Sequence, residues 1–273
     1  MVTEVYDCIV VGSGHAGSCA ALSARESGCT KGKSSFSCST QPLIHPPVLL
    51  VDKCPIEWVG GNGYFTAGAH RTVHAGLADL MSILHNPPSS EEAGKIDIIP
   101  YTCDDFRSDI MRLSKGKSDP ALVDAVVNDS RAAIEWLAKE GIPFCLSFNR
   151  QAYQVNGRQK FWGGMALSVE DGGKGLIAVH QRALAEAGIT CWFKSPVTSI
   201  LMQDGAVCGV RLVNDGGIME VKAFNVILAA GGFEANAELR ARHLGQGWEK
   251  AKVSMTPSVL LSYLPKVGQR NTL

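Results

Sequence analysis

Apolar residues along the chain fall into short unbroken runs and into longer stretches with a helical repeat. Tyr6-Asp7-Cys8-Ile9-Val10-Val11 reads as a short buried strand, and the small residues of SCAALSARESG then keep helical spacing. Val48-Leu49-Leu50-Val51-Asp52 reads as a second strand, ending in an acid. Residues 77–145 carry helical patterns, clearest from Pro120 to Lys139. There Leu122, Val123, Val126, Val127, Ala133, Ile134 and Leu137 approach a helical period, and Gly141 is a sensible stop. Trp136 and Phe144 are assigned to the core. Gly172-Gly173-Lys174-Gly175 opens a further helical stretch, GLIAVHQRALAEAG. TCWFKSPVTSILMQDGAVCGVRLV reads as strands turning at Asp204-Gly205, with a second hairpin turn at Asp215-Gly216-Gly217. Val226-Ile227-Leu228-Ala229-Ala230-Gly231-Gly232 reads as a buried strand ending in small residues. The pattern predicts an α/β fold with a central parallel sheet, a β-meander and a helical subregion.

The link between the first strand and the first helix carries the chemistry. Gly12-Ser13-Gly14-His15-Ala16-Gly17 is a G-x-G-x-x-G turn placed directly after a strand and before a helix. Gly12 permits the tight turn, Gly14 lets backbone approach a pyrophosphate, and Gly17 lets helix and strand pack closely. The helix N-terminus then offers N–H groups to phosphates. His15 and Ala16 lie inside this loop, with the His15 ring expected to point away from the phosphates.

Such a turn predicts an acid about 20 residues on that holds a ribose hydroxyl. Asp52, followed by Lys53, fits in kind but lies 35 positions beyond Gly17. Without the 16 residues from Gly32 to Pro47 the interval becomes 19, and ESGCTKVLLVDK is an ordinary helix-to-strand link. Residues 32–47 therefore read as an insertion, expected to be exposed and poorly ordered. One hypothesis is a translated intron, since Gly-Lys and Pro-Val can encode its in-frame ends; a spliced transcript that retains these codons at full abundance sinks it. The alternative is a tolerated surface loop, because loop-closure entropy grows slowly with length.

A second glycine patch, GGNGYFTAGAHR, follows soon after Asp52. A domain that binds NAD usually continues there into another helix and strand. Gly61, Asn62, Thr66 and Gly68 instead suit a longer cofactor, FAD, running through the domain.

Composition narrows the rest. Lys and Arg number 26 against 26 Asp and Glu among 273 residues, so charge suggests no nucleic-acid partner. The nine cysteines show no C-x-x-C spacing, and MVTEVYDCIVVGSG lacks the basic start of a secretory signal. The expectation is reduced thiols in the cytoplasm. No apolar run approaches the roughly 20 residues of a membrane helix. His70 and His74 have i, i+4 spacing, but a third ligand is lacking and the context is glycine-rich, so no metal site is expected. No oligomeric state follows from the sequence.

The pieces DCIVVGSGHAG, VLLVDK, GGNGYFTAGAHR, FRSDIMRLSKGKSD, SRAAIEWLAKEGIPF, GRQKFWGGMALSVEDGGKGL and NVILAAGGFEANAELRARHLG, in this order, carry a resemblance. The chain resembles the flavoprotein family of fumarate reductase and succinate dehydrogenase, nearest its tricarballylate-dehydrogenase-like branch. The resemblance implies FAD, a dicarboxylate or tricarboxylate substrate, and flavin-dependent oxidation or reduction of a carbon–carbon bond beside carboxylates. It also implies backbone near Val197 at the adenine, and close approach of the cofactor at Ala230 and Gly231. Lys174 would lie near the active site, though a solvated lysine is the commoner outcome. Two positions depart from the family: Asp52 stands where Glu is usual, and Gly63 where Ser or Thr is usual.

The domain reading is an incomplete FAD-binding domain over 1–253 and a tail, 254–273, outside the family pattern. In the family a capping domain follows, and then the substrate-binding histidines and arginines. No catalytic residue is assigned, impaired catalysis is expected, and exposed apolar surface and poor solubility are predicted. Two alternatives stay open: a non-catalytic FAD-binding fragment of a misread gene, and an NAD(P)-dependent Rossmann dehydrogenase.

Overall fold

The computed structural model describes residues 5–28 and 48–252, so the proposed insertion at 32–47 and the tail at 254–273 lie outside the described residues. In chain order the elements are β1 (Val5–Val11), α1 (His15–Glu26), β2 (Val48–Val51), α2 (Leu77–Leu80), α3 (Ser90–Ala93), β3 (Ile96–Ile98), α4 (Cys103–Leu113), α5 (Pro120–Lys139), β4 (Phe144–Leu146), α6 (Phe148–Gln151), β5 (Ala152–Val155), β6 (Arg158–Phe161), β7 (Leu167–Val169), α7 (Gly172–Glu186), β8 (Thr190–Trp192), β9 (Val197–Gln203), β10 (Ala206–Asn214), β11 (Gly217–Leu228) and α8 (Ala237–Leu244). They divide into two units, Met1–Tyr64 with His180–Leu273, and Phe65–Val179.

The first unit is built on one six-stranded sheet in the order β8-β2-β1-β11-β10-β9. β1 pairs in parallel with β2 on one side and β11 on the other, and β2 pairs in parallel with β8. β1 and β2 are buried along nearly their whole length. That is why they read as unbroken apolar runs rather than alternating ones. The register sets Val11 beside both Val51 and Leu228, so the three strands end together. The loops that leave them meet outside the carboxyl ends of a parallel sheet, the usual ligand position in such folds.

β9, β10 and β11 form the expected antiparallel meander. Its turns sit at the expected residues: Asp204 and Gly205, then Asp215 and Gly216, all take positive φ. The core joins Tyr6, Ile9, Val11, Leu49 and Val51 to Val197, Val210, Leu212 and Val221. One expectation needs correction. Val226–Leu228 is the end of the 12-residue strand β11, and Ile227 and Leu228 are 37% and 43% exposed. An apolar run marks a strand but does not say that both of its faces are covered.

The second unit holds the helical subregion. α5 starts at Pro120 with Asp119 as N-cap, whose carboxylate accepts from the Ala121 and Leu122 N–H groups. Its buried stripe is Val123, Val127, Ile134 and Leu137, and Tyr101 and Phe106 pack with Val123 and Val127. Leu122 and Val126, expected on the apolar face, are 68% and 55% exposed. A stripe of buried residues on one helix is narrower than the set of apolar residues it carries. Phe144 is fully buried as expected, whereas Trp136 is only half-buried. Strands β3, β6 and β5 form a small sheet, and β4 pairs with β7. No helix among the described residues is long and apolar enough to cross a membrane.

Candidate nucleotide-binding site

The turn after β1 is held by the fold at two of its three glycines. Gly12 has φ +108°, its N–H donates to the Val51 carbonyl at 2.8 Å, and a Cβ there would lie 2.4 Å from the Ala229 carbonyl oxygen. A Cβ on Gly17 would lie 1.8 Å from the Gly12 carbonyl oxygen. Neither position admits a side chain. Gly14 is different. Its φ of −69° and ψ of 179° suit any residue, and a Cβ there would meet only the Gly60 carbonyl oxygen at an ordinary 3.5 Å. The chain's own packing therefore gives no reason for glycine at 14.

α1 begins at His15 with Gly14 as N-cap, no side-chain cap and no acid in its first turn. A helix start of this kind carries N–H donors and partial positive charge, which suit phosphate.

Asp52 leaves the end of β2 and returns to the turn. Its Oδ2 accepts from the Ser13 backbone N–H at 2.7 Å and from the Ser13 hydroxyl at 2.6 Å. Its Oδ1 accepts from the Cys54 N–H at 2.8 Å. The two bonds fill the lone pairs of Oδ2, and Oδ1 keeps acceptor capacity for one further donor such as a ribose hydroxyl. The Cys54 thiol has its pKa raised, mainly by burial and then by the neighbouring Asp52 charge. Backbone bonds from Asp52 to the Trp192 carbonyl and from Ser195 to the Asp52 carbonyl tie this loop to the one before β9.

A cavity of about 270 Å³ opens at this place. It is lined by Gly12, Gly14, His15 and Ala16, and by residues 51–54, 60–63, 195–198 and 229–232. Eleven of the residues singled out from sequence thus share one wall system: Gly12, Gly14, His15, Ala16, Asp52, Lys53, Gly61, Asn62, Val197, Ala230 and Gly231. Gly17 sits in the first turn of α1, buried beneath the Gly12 carbonyl. Thr66 and Gly68 belong to the second unit, where Gly68 donates to the Thr66 hydroxyl at 3.1 Å. Thr66 accepts there at its carbonyl from Gly173. Lys174 is exposed, as a solvated lysine is. Sequence reasoning missed Ser13 as the partner of Asp52, and Ser195, Pro196 and Thr198 as cavity walls. Serine in a glycine-rich turn was a visible signal, but the loop before β9 carried none.

A family profile described as FAD binding domain matches residues 83–256, more than half of the chain. The chain belongs to the FAD-binding domain family. Its cofactor is FAD. Among similar proteins, the NADH:fumarate oxidoreductase of Klebsiella pneumoniae is 28% identical over 239 residues, covering 87% of this chain and 22% of that protein. The urocanate reductase of Eggerthella lenta is 28% identical over 252 residues, covering 89% of this chain and 34% of that protein. The fold is similar to that of a flavocytochrome c3 fumarate reductase in its open conformation, with a TM-score of 0.65 at 22% identity. That likeness covers 93% of this chain and 38% of that one. This FAD-binding domain therefore spans between a fifth and two fifths of the length of these relatives. It is a flavoprotein domain of the fumarate reductase and succinate dehydrogenase type.

Proposed function

We propose that this chain binds FAD in the cavity outside β1, β2 and β11 and serves an oxidoreductase acting on a carbon–carbon bond beside carboxylates. The reading rests above all on Gly14, a glycine that the fold does not need and a bound diphosphate does. Gly12, Gly14 and the first-turn N–H groups of His15, Ala16 and Gly17 would hold the diphosphate. Asp52, kept in place by Ser13 and Cys54, would accept from the ribose, with Lys53 beside it. Backbone at Val197 would meet the adenine. Gly61, Asn62, Ala230 and Gly231 would line the remainder of the cofactor within the first unit.

FAD when bound supplies the hydride chemistry, and this chain's residues supply binding and orientation. Fumarate and urocanate, named in the relatives, both carry a carbon–carbon double bond conjugated to a carboxylate. The substrate class is accordingly a small acid with a carbon–carbon double bond beside a carboxylate, a dicarboxylate or tricarboxylate by the sequence resemblance, and none of the chain's residues is given a catalytic role.

The test is equilibrium binding of FAD to the purified chain, read by the flavin's visible absorption after removal of unbound cofactor. The expected result is stoichiometric retention. Gly14→Val should weaken FAD by at least about tenfold, or about 1.4 kcal/mol, while leaving the melting temperature unchanged. A chain that retains no flavin, or a Gly14→Val variant that binds FAD like the parent, would overturn the reading.

A further inference from the structure

We propose that His15, Cys19 and His180 form a binding site for a zinc-class metal ion, separate from the cofactor's own contacts. His15 and Cys19 stand four residues apart on α1, so their side chains share one face of that helix. His180 comes from α7 and is 1% exposed. The His15 Nδ1 lies 2.7 Å from the His180 Nε2 and 3.8 Å from the Cys19 Sγ. Among the described residues this is the group of three His, Cys or acidic side chains whose ligand atoms all lie within 4.8 Å of one another. His70 and His74, four apart in sequence, make no such group there.

The chemistry of the three atoms is specific. Two imidazoles and a thiolate suit Zn²⁺, with bonds of about 2.0–2.1 Å to nitrogen and about 2.3 Å to sulfur. Tetrahedral bonds of that length hold two nitrogens about 3.3 Å apart. The two rings therefore need to open by roughly half an ångström from their present contact, a small rotation of the half-buried His15. Binding releases the Cys19 thiol proton and leaves a fourth position for water. In the absence of metal, the two imidazoles share a hydrogen bond and the Cys19 thiol makes a weak one to the same His15 nitrogen. The proposed roles of His15 are compatible, because the cofactor would use its backbone N–H and the metal its ring.

The experiment uses the full chain, reduced and stripped of metal. Zn²⁺ is titrated in the presence of a competing chelator, and Co²⁺ is titrated while the visible spectrum is followed. The expected result is one equivalent bound, tetrahedral cobalt bands, and a thiolate-to-cobalt charge-transfer band. Cys19→Ser should abolish that band and weaken Zn²⁺ at least tenfold, and His180→Gln should weaken Zn²⁺ similarly. Circular dichroism of each variant checks the fold. Should His180→Gln unfold, Cys19→Ser decides alone. No stoichiometric metal binding, or a charge-transfer band that survives in Cys19→Ser and so comes from another of the nine cysteines, overturns the proposal.

Discussion

At the scale of single residues, the glycine turn separates what folding requires from what a ligand requires. Gly12 and Gly17 are glycines because the Ala229 and Gly12 carbonyl oxygens occupy the space of a side chain. Gly14 is a glycine although the fold leaves room for one. Asp52 is required by the fold and proposed for the ligand as well. It accepts three hydrogen bonds from Ser13 and Cys54, and the same carboxylate stands where the ribose is expected. Asp52→Ala strands those donors, at a cost of about 1–3 kcal/mol. Denaturant unfolding should show that loss, and FAD binding should weaken by at least about tenfold in the same variant. A stability loss with unchanged FAD affinity would make Asp52 a purely structural brace of the turn. The spacing rule found this acid only after residues 32–47 were set aside. Its partner Ser13 stands 39 positions away, which local pattern does not reveal.

At the scale of elements, the meander was legible because its turns are local. Asp-Gly and Asp-Gly-Gly need positive φ at their centres, and only a few residue types accept it. The same logic was available at Asn156-Gly157, which turns β5 into β6 with φ of 50° and 76°, beyond the 77–145 stretch given a helical pattern and in a stretch given no element from sequence. β10 carries a further feature that no local pattern announces. Gly209 has φ +145° at a register shift against β9, and a Cβ there would lie 2.1 Å from the Val221 carbonyl oxygen. Gly209→Ala should destabilise the first unit by about 2–4 kcal/mol, because a strained backbone and a steric overlap add. Gly205→Ala, at a turn with open space around it, should cost only about 1 kcal/mol. Urea unfolding of the two variants side by side checks the contrast, and equal losses would contradict it.

At the scale of the whole molecule, acid should weaken the fold through two histidines of the second unit, the half-buried His70 and the buried His74. Burial lowers the pKa of His70, against a smaller opposing effect of its hydrogen bond to the Gly68 carbonyl. Burial is also the main cause for His74, opposed by the Asp79 charge. Both therefore take up a proton at lower pH in the fold than in the unfolded chain, which titrates near the ordinary 6.5. Their contribution is fully present above pH 6.5. It declines as pH falls below 6.5 towards the lowered folded values, because the unfolded state takes up protons first. The limit is about 1.4 kcal/mol per pH unit for each histidine. Urea midpoints at pH 7.5 and pH 5.5 should show the decline, and a His70→Gln, His74→Gln double variant should flatten it. An unchanged slope in that variant would assign the acid sensitivity elsewhere. By itself the sequence determined the strand, glycine turn and helix at the start, the acid that ends β2, the meander and the long helix α5. Each of these is dictated by backbone sterics or by periodicity within a few residues. Only the tertiary structure decided that β11 runs beside β1, that Ile227 and Leu228 are exposed, that Asp52 braces Ser13, and that His180 meets His15 and Cys19. Those facts depend on the register of strands and the docking of helices far apart in the chain, which apolar spacing does not encode.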